Sequence, residues 1–220
     1  SFEKPGANGS EALDNFISDP ASPVPYRHRP IQATYFPAGT SQWSEWLVED
    51  QRFVDGRPDV LSWESEPLKE DLTIAGEVMA HLFAATTGSD ADWIVKLIDV
   101  YPQHYPENWE MAGYQLMISN EVFRGRYRES FEVPKAIEPN AILDYNFSLH
   151  TQNHTFKKDH RILIQVQSSW FPIIDRNPQT FVPNIFEAME SDFKAATHTI
   201  YRSTNYLSRV TIPVVTGGVE

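Results

Sequence analysis

Thr155–Thr180 reads TFKKDHRILIQVQSSWFPIIDRNPQT, and this stretch decides the fold. Lys157-Lys158-Asp159 is a polar turn, and Arg161–Ser169 then runs through aliphatic and β-branched residues. The stretch closes on Asp175-Arg176-Asn177-Pro178, where Asp, Asn and Pro are turn formers. A short strand with turn chemistry at both ends is the unit of an all-β domain. Trp170 and Phe171 are neighbours, so in extended chain they face opposite ways and can anchor the loop from two sides.

Strand signals continue in both directions. Trp46–Phe53 and Asp59–Ser65 flank the turn Asp55-Gly56-Arg57-Pro58. Leu72–Ala84 alternates, with Leu72, Ile74, Val78, Ala80 and Leu82 on one face and Thr73, Glu77, Met79, His81 and Phe83 on the other. Thr87-Gly88-Ser89-Asp90 is a turn before the strand Asp92–Tyr101, and Gln103–Met111 is a loop excursion. Val122–Ser130, Ile142–Ser148 and Arg209–Val215 bring the total to roughly nine or ten strands. One short helix is expected, over Asp192–Thr197.

Asp19-Pro20-Ala21-Ser22-Pro23-Val24-Pro25 holds too many prolines for helix or a central strand. Residues 1–30 therefore read as an extended linker, or as a strap over a neighbouring domain, and residues 31–220 as the sandwich domain. The Ser1-Phe2 start reads as a boundary inside a longer chain. The expected fold is a jelly-roll β-sandwich, because long early strands separated by excursions suit it better than an immunoglobulin-like sandwich.

Composition removes several function classes. The formal net charge of −12 disfavours phosphate-backbone and anionic-membrane partners, so neither nucleic acid nor membrane is expected. There is no Cys, which excludes disulfides, thiolate metal sites and a cysteine nucleophile. No apolar stretch approaches the roughly 18 residues of a membrane span. G-x-S-x-G, G-x-x-x-x-G-K-[ST], G-x-G-x-x-G and H-E-x-x-H are all absent, so no nucleophile elbow, nucleotide loop or zincin helix is legible, and no catalytic residue is assigned.

The remaining polar clusters have two readings each. His150 and His154 are four apart in polar surroundings, which fits a hydrogen-bonded turn better than a metal pair. Ser89, Asp90 and Asp92, with Asp99 beyond, offer oxygen ligands of the calcium type, yet the spacing is not an EF-hand and turn chemistry explains them as well. No cofactor or metal is expected. Arg124, Arg126 and Arg128 alternate, so on a strand they share one face, either salt-bridged at the surface or meeting carboxylates of another domain. Trp43 and Trp46 follow Tyr35 and Phe36; they suit a core or interface, a substrate-pocket wall, or the platform of a free-standing carbohydrate-binding module.

Five stretches recur in the same order in one family. They are Trp46–Leu61 (WLVEDQRFVDGRPDVL), Gly88–Val100 (GSDADWIVKLIDV), Phe123–Ser130 (FRGRYRES), the stretch quoted first, and Ser208–Val215. Together they resemble the C-terminal β domain of the serine hydrolases that include α-amino acid ester hydrolases, glutaryl-7-aminocephalosporanic acid acylases, cocaine esterase and X-Pro dipeptidyl-peptidases. The resemblance spans about Asp19 to Val215 and leans to the ester hydrolase branch. It implies a galactose-binding-like jelly roll without catalytic residues, joined to an α/β-hydrolase domain that carries the Ser-His-Asp triad. Through that parent the substrate would be a small ester, amide or peptide. Trp43 and Trp46 would line the acyl pocket, and Arg124, Arg126, Arg128, Asp175, Arg176 and Asn177 would meet the hydrolase domain. A periplasmic or secreted, homo-oligomeric parent is the matching expectation.

Overall fold

The computed structural model describes residues 12–30 and 45–216. Its strands are β1 (Leu13–Ser18), β2 (Val60–Glu64), β3 (Leu72–Thr86), β4 (Asp92–Val100), β5 (Gln115–Arg124), β6 (Leu143–Phe156), β7 (Arg161–Gln167), β8 (Ala196–Tyr201) and β9 (Arg209–Thr211). One helical turn, α1 (Glu45–Val48), precedes β2. One sheet runs β1-β8-β3-β6 with β9 beside β3, and the other runs β2-β7-β4-β5. β1 therefore pairs with β8, β2 with β7, β3 with β6 and β4 with β5, all antiparallel. That is the pairing of one long hairpin rolled up on itself, a jelly roll.

The alternation of β3 sends Ile74, Val78, Ala80, Leu82 and Ala84 between the sheets. There they meet Trp93, Val95 and Leu97 of β4, Tyr145, Phe147 and Leu149 of β6, and Ile162, Ile164 and Val166 of β7. Each Val, Leu, Ile or Phe side chain among these contributes about 1.5–3 kcal/mol when fully buried. β4 is buried at every position, because its outer face is covered too. Ile94 packs with Met117, Trp170, Tyr26 and Trp46, and Val60 packs with Val24, Val54 and Phe53. The proline-rich segment and the stretch from Trp46 to Val54 thus form the cover of this sheet.

Several expectations need correction. Trp46–Phe53 is not a strand but α1 followed by a 3-10 turn, Gln51–Phe53. Asp50 sets that turn: its carboxylate accepts from the Arg52 and Gln115 backbone N–H groups, both at 3.1 Å. The Asp192–Thr197 helix is absent. A 3-10 turn over Glu190–Asp192 leads into β8, where Ala196, His198 and Ile200 point inward with the period of a strand. Residues 1–30, read as linker, contain β1, whose Phe16 and Ser18 are buried. His150 and His154 lie on β6 rather than in a turn. A bulge between Glu77 and Met79 gives β6 its extra residue, with His150 at φ 69°.

Candidate functional site

At one end of the sandwich, β5 stops at Arg124 because Gly125 brings its backbone against β4. The Gly125 N–H donates to the Ala91 carbonyl at 2.8 Å, and a Cβ there would sit 2.8 Å from the same oxygen. Gly125–Tyr127 then forms a 3-10 turn. Arg124, Arg126 and Arg128 consequently do not share a strand face, and each points to a different partner.

Arg126 is 2% exposed and its carboxylate partner Asp90 is 0% exposed. Its Nε donates to Asp90 Oδ2 at 2.8 Å and its Nη2 to the Val182 carbonyl at 3.0 Å. The Phe181 ring lies 4.9 Å from the guanidinium. Burial pushes the Asp90 carboxyl up, and Arg126 opposes it. Asp92 is buried as well: burial pushes it up to about 7, against the Arg124 charge and a 2.9 Å hydrogen bond from Asn177 Nδ2.

Arg124 grips Asp175 with both terminal nitrogens, one bond being 3.2 Å from Nη1 to Oδ2. Burial pulls Arg124 down, but the Asp175 hydrogen bond and the charges of Asp92, Asp175 and Asp90 outweigh it and hold the group above its ordinary value. Arg128 donates to the carbonyls of Lys135 and Ala136, both at 2.8 Å. Arg176 donates to the Pro20 carbonyl at 2.9 Å and lies over Phe193 at 4.7 Å. Asn177 Oδ1 caps the next turn by accepting from Gln179 N–H at 2.7 Å. The six polar residues singled out from sequence are thus gathered at one end and engaged within the chain. This network ties the loop after β7 to β1, β4 and β5.

On top of that frame stand exposed apolar side chains. Phe131 and Val133 (85% and 66% exposed) follow β5, while Phe186 and Met189 (84% and 67%) precede β8. Between the two loops lies a cleft of about 240 Å³ lined by Arg124, Arg126, Tyr127, Pro183, Asn184, Ile185 and Phe186. Phe131, Val133, Phe186 and Met189 thus leave large apolar side chains in water at this end, and the arginines lining the cleft are neutralised by Asp175 and Asp90.

Trp43 lies outside the described residues. Trp46 is half-buried on the cover, edge-on to Trp170 at 5.6 Å and to Tyr26 at 6.3 Å. Beneath the cover is Lys96, a residue the sequence reading passed over. It is fully buried, donates to Gln51 Oε1 at 2.9 Å and lies 4.7 Å over the Trp170 ring. Burial pulls its ammonium down to about 7. The available signal was a charged residue inside an otherwise apolar run, Trp93–Ile98, that alternation cannot place at the surface.

Among the described residues no serine hydroxyl bonds a histidine ring, and no three His, Cys, Asp or Glu side chains group as metal ligands. Asp90, the central residue of the calcium-type cluster, is taken up by Arg126. His154 and His160 both bond Asp99, at 2.9 and 2.8 Å, bridging the sheets.

The described residues form a jelly-roll β-sandwich. Residues 27–211 match the X-Pro dipeptidyl-peptidase C-terminal non-catalytic domain family, and the chain belongs to that family. Cocaine esterase of Rhodococcus sp. (strain MB1 Bresler) is 30% identical over 208 residues, covering 94% of this chain and 33% of that protein. The solved aminopeptidase from the marine sediment archaeon Thaumarchaeota archaeon superposes with a TM-score of 0.92 at 51% identity, over 97% of this chain and 34% of its own. A solved α-amino acid ester hydrolase gives 0.90 at 51% identity, over 96% and 34%. The chain spans about a third of the length of these relatives.

Proposed function

We propose that this chain is the non-catalytic β domain of a bacterial-type serine hydrolase, an esterase or acylase acting on α-amino acid esters, amides or X-Pro peptides. The observation that carries this reading is the coverage. Likeness at 51% identity runs through almost all of this chain while using about a third of two solved enzymes. In the parent, an α/β-hydrolase domain supplies the nucleophilic serine, its base and the oxyanion donors for acyl transfer. This chain supplies an interface. The end bearing Phe131, Val133, Phe186 and Met189 packs on the hydrolase domain, with Arg124, Arg126, Arg128, Asp175, Arg176 and Asn177 holding that end in shape. Trp43 and Trp46 form one wall of the acyl pocket. The parent is exported to the periplasm or medium and assembles with copies of itself.

The carbohydrate-module alternative is less well supported. A sugar platform needs an open aromatic face, and Trp46 is engaged by Tyr26 and Trp170. The experiment is p-nitrophenyl acetate hydrolysis by the purified chain and by the full-length parent. Turnover by the parent alone, with the chain at the level of an albumin control, is expected. Turnover by the isolated chain overturns the assignment.

A further inference from the structure

β6 is the outermost strand of its sheet, and its side chains alternate between the core and water. Tyr145, Phe147 and Leu149 point inward and are buried. Asn146 and Asn153 point outward, opposite His81 and Ala75 of β3, and both are exposed. The cover of the proline-rich segment and the Trp46–Val54 stretch lies over the other sheet and does not reach them.

Each of these two asparagines heads the pattern Asn-x-Ser/Thr with x other than Pro: Asn146-Phe147-Ser148 and Asn153-His154-Thr155. So short a pattern arises by chance, and the structure adds an independent distinction. Asn15, Asn108, Asn177 and Asn184 head no such pattern, and each commits its side chain to a hydrogen bond. Asn177 also donates through Nδ2, to Asp92 at 2.9 Å. The Asn146 and Asn153 side chains make no hydrogen bond with the described residues, so their amide nitrogens stand uncommitted in water. We propose that Asn146 and Asn153 are acceptor sites for N-linked glycans, taken from a lipid-diphosphate-linked oligosaccharide during export. This assignment rests on the reading of the parent as an exported protein.

In that transfer the asparagine Nδ2 forms a bond to the anomeric carbon of the sugar. The bond from that carbon to the lipid diphosphate breaks, the diphosphate leaves with the electron pair, and the amide gives up one proton to a base of the transferase. Ser148 and Thr155 share the outer face with their asparagines but stand about 7 Å along the strand from them, too far for the hydroxyl to meet the amide. Transfer therefore precedes the pairing of β6, and the fold decides only whether the product can be carried. A sugar on an inward residue would break the core, whereas at these two positions it extends into water.

The test is peptide mass spectrometry of the full-length parent, purified from its source organism after separating cytoplasm from periplasm and medium. Trypsin releases both sites in one peptide, 136–157, and fragmentation assigns each asparagine separately. Sugar is expected on both. Ser148→Ala and Thr155→Ala should each strip the sugar from their own asparagine alone, while Ser148→Thr keeps it. A bare peptide from parent found in the periplasm or medium overturns the assignment and leaves the export reading standing. A bare peptide from parent confined to the cytoplasm overturns both. Sugar that survives Ser148→Ala and Thr155→Ala also overturns the assignment, because its attachment then ignores the hydroxyl.

Discussion

Arg126→Met tests whether the end of the sandwich that bears Phe131 and Phe186 is held by its buried ion pair. The substitution keeps most of the side chain's volume but removes the bonds to Asp90 and to the Val182 carbonyl, leaving Asp90 buried without its ion-pair partner. Breaking a buried pair by removing one partner costs about 3–5 kcal/mol, because the surviving charge keeps its desolvation penalty. With a urea m-value of about 2–3 kcal/mol/M for a chain this size, the unfolding midpoint should fall by about 1–2.5 M. Tryptophan fluorescence reads this directly, since Trp93 and Trp170 are both buried. Arg124→Met is the internal control: its partner Asp175 keeps 29% side-chain exposure, so the loss should stay near the surface range of about 0–1 kcal/mol. The double variant Arg126→Met/Asp90→Asn removes the stranded charge and should regain most of the loss. A carboxyl raised by burial holds its proton more tightly folded than unfolded. The deficit of Arg126→Met should therefore be small near pH 4 and grow as pH rises above that ordinary carboxylate range. A midpoint for Arg126→Met within about 0.3 M of wild type, roughly 1 kcal/mol, would refute the reasoning, as would a double variant no more stable than the single one.

Three further expectations follow, two from buried charges and one from a close backbone contact. Lys96 has its folded value lowered to about 7, so the unfolded chain binds the extra proton and stability should rise as pH climbs from about 7 toward 10; Lys96→Met should remove that slope, on the order of 4 kcal/mol, in urea titrations at several pH values. Asp92 has the opposite sign, being raised to about 7, and its contribution falls as pH rises from about 4 to 7; Asp92→Asn, which keeps the acceptor for Asn177, should gain on wild type progressively across that window in thermal melts. Gly88→Ala would put a Cβ 2.3 Å from the Gln179 carbonyl oxygen, and calorimetry should show a loss of about 1–3 kcal/mol from the forced shift of that loop.

Period and punctuation made most of the sandwich legible. Leu72–Ala84 was readable because one face is buried between sheets, and a half-buried strand writes its geometry into alternating residues. Arg161–Gln167 was readable from its flanking turns. β1 was not, since LDNFIS is short, half polar and next to prolines; it exists through pairing with β8, a partner more than 180 residues away by the Thr199–Asn15 bond. Trp46–Phe53 has strand composition, but the Asp50 carboxylate offers its N–H groups a competing bond and tips it into turns. The arginines were legible as a group and not as a geometry. Alternation assumes extended backbone, and Gly125 ends it by approaching Ala91 closely. The exposed Phe131 and Phe186 carried no periodic signal, because they lie in loops, where no helix or strand period marks a side chain.

The most direct measurement is of association between this chain and the separately produced hydrolase portion of its parent polypeptide, by sedimentation velocity. The account requires a one-to-one complex for the wild-type chain, lost in Phe131→Asp/Phe186→Asp while Arg124→Met weakens it only modestly. Failure of the two pieces to associate, or a complex indifferent to Phe131 and Phe186, would contradict a domain built to dock through this end.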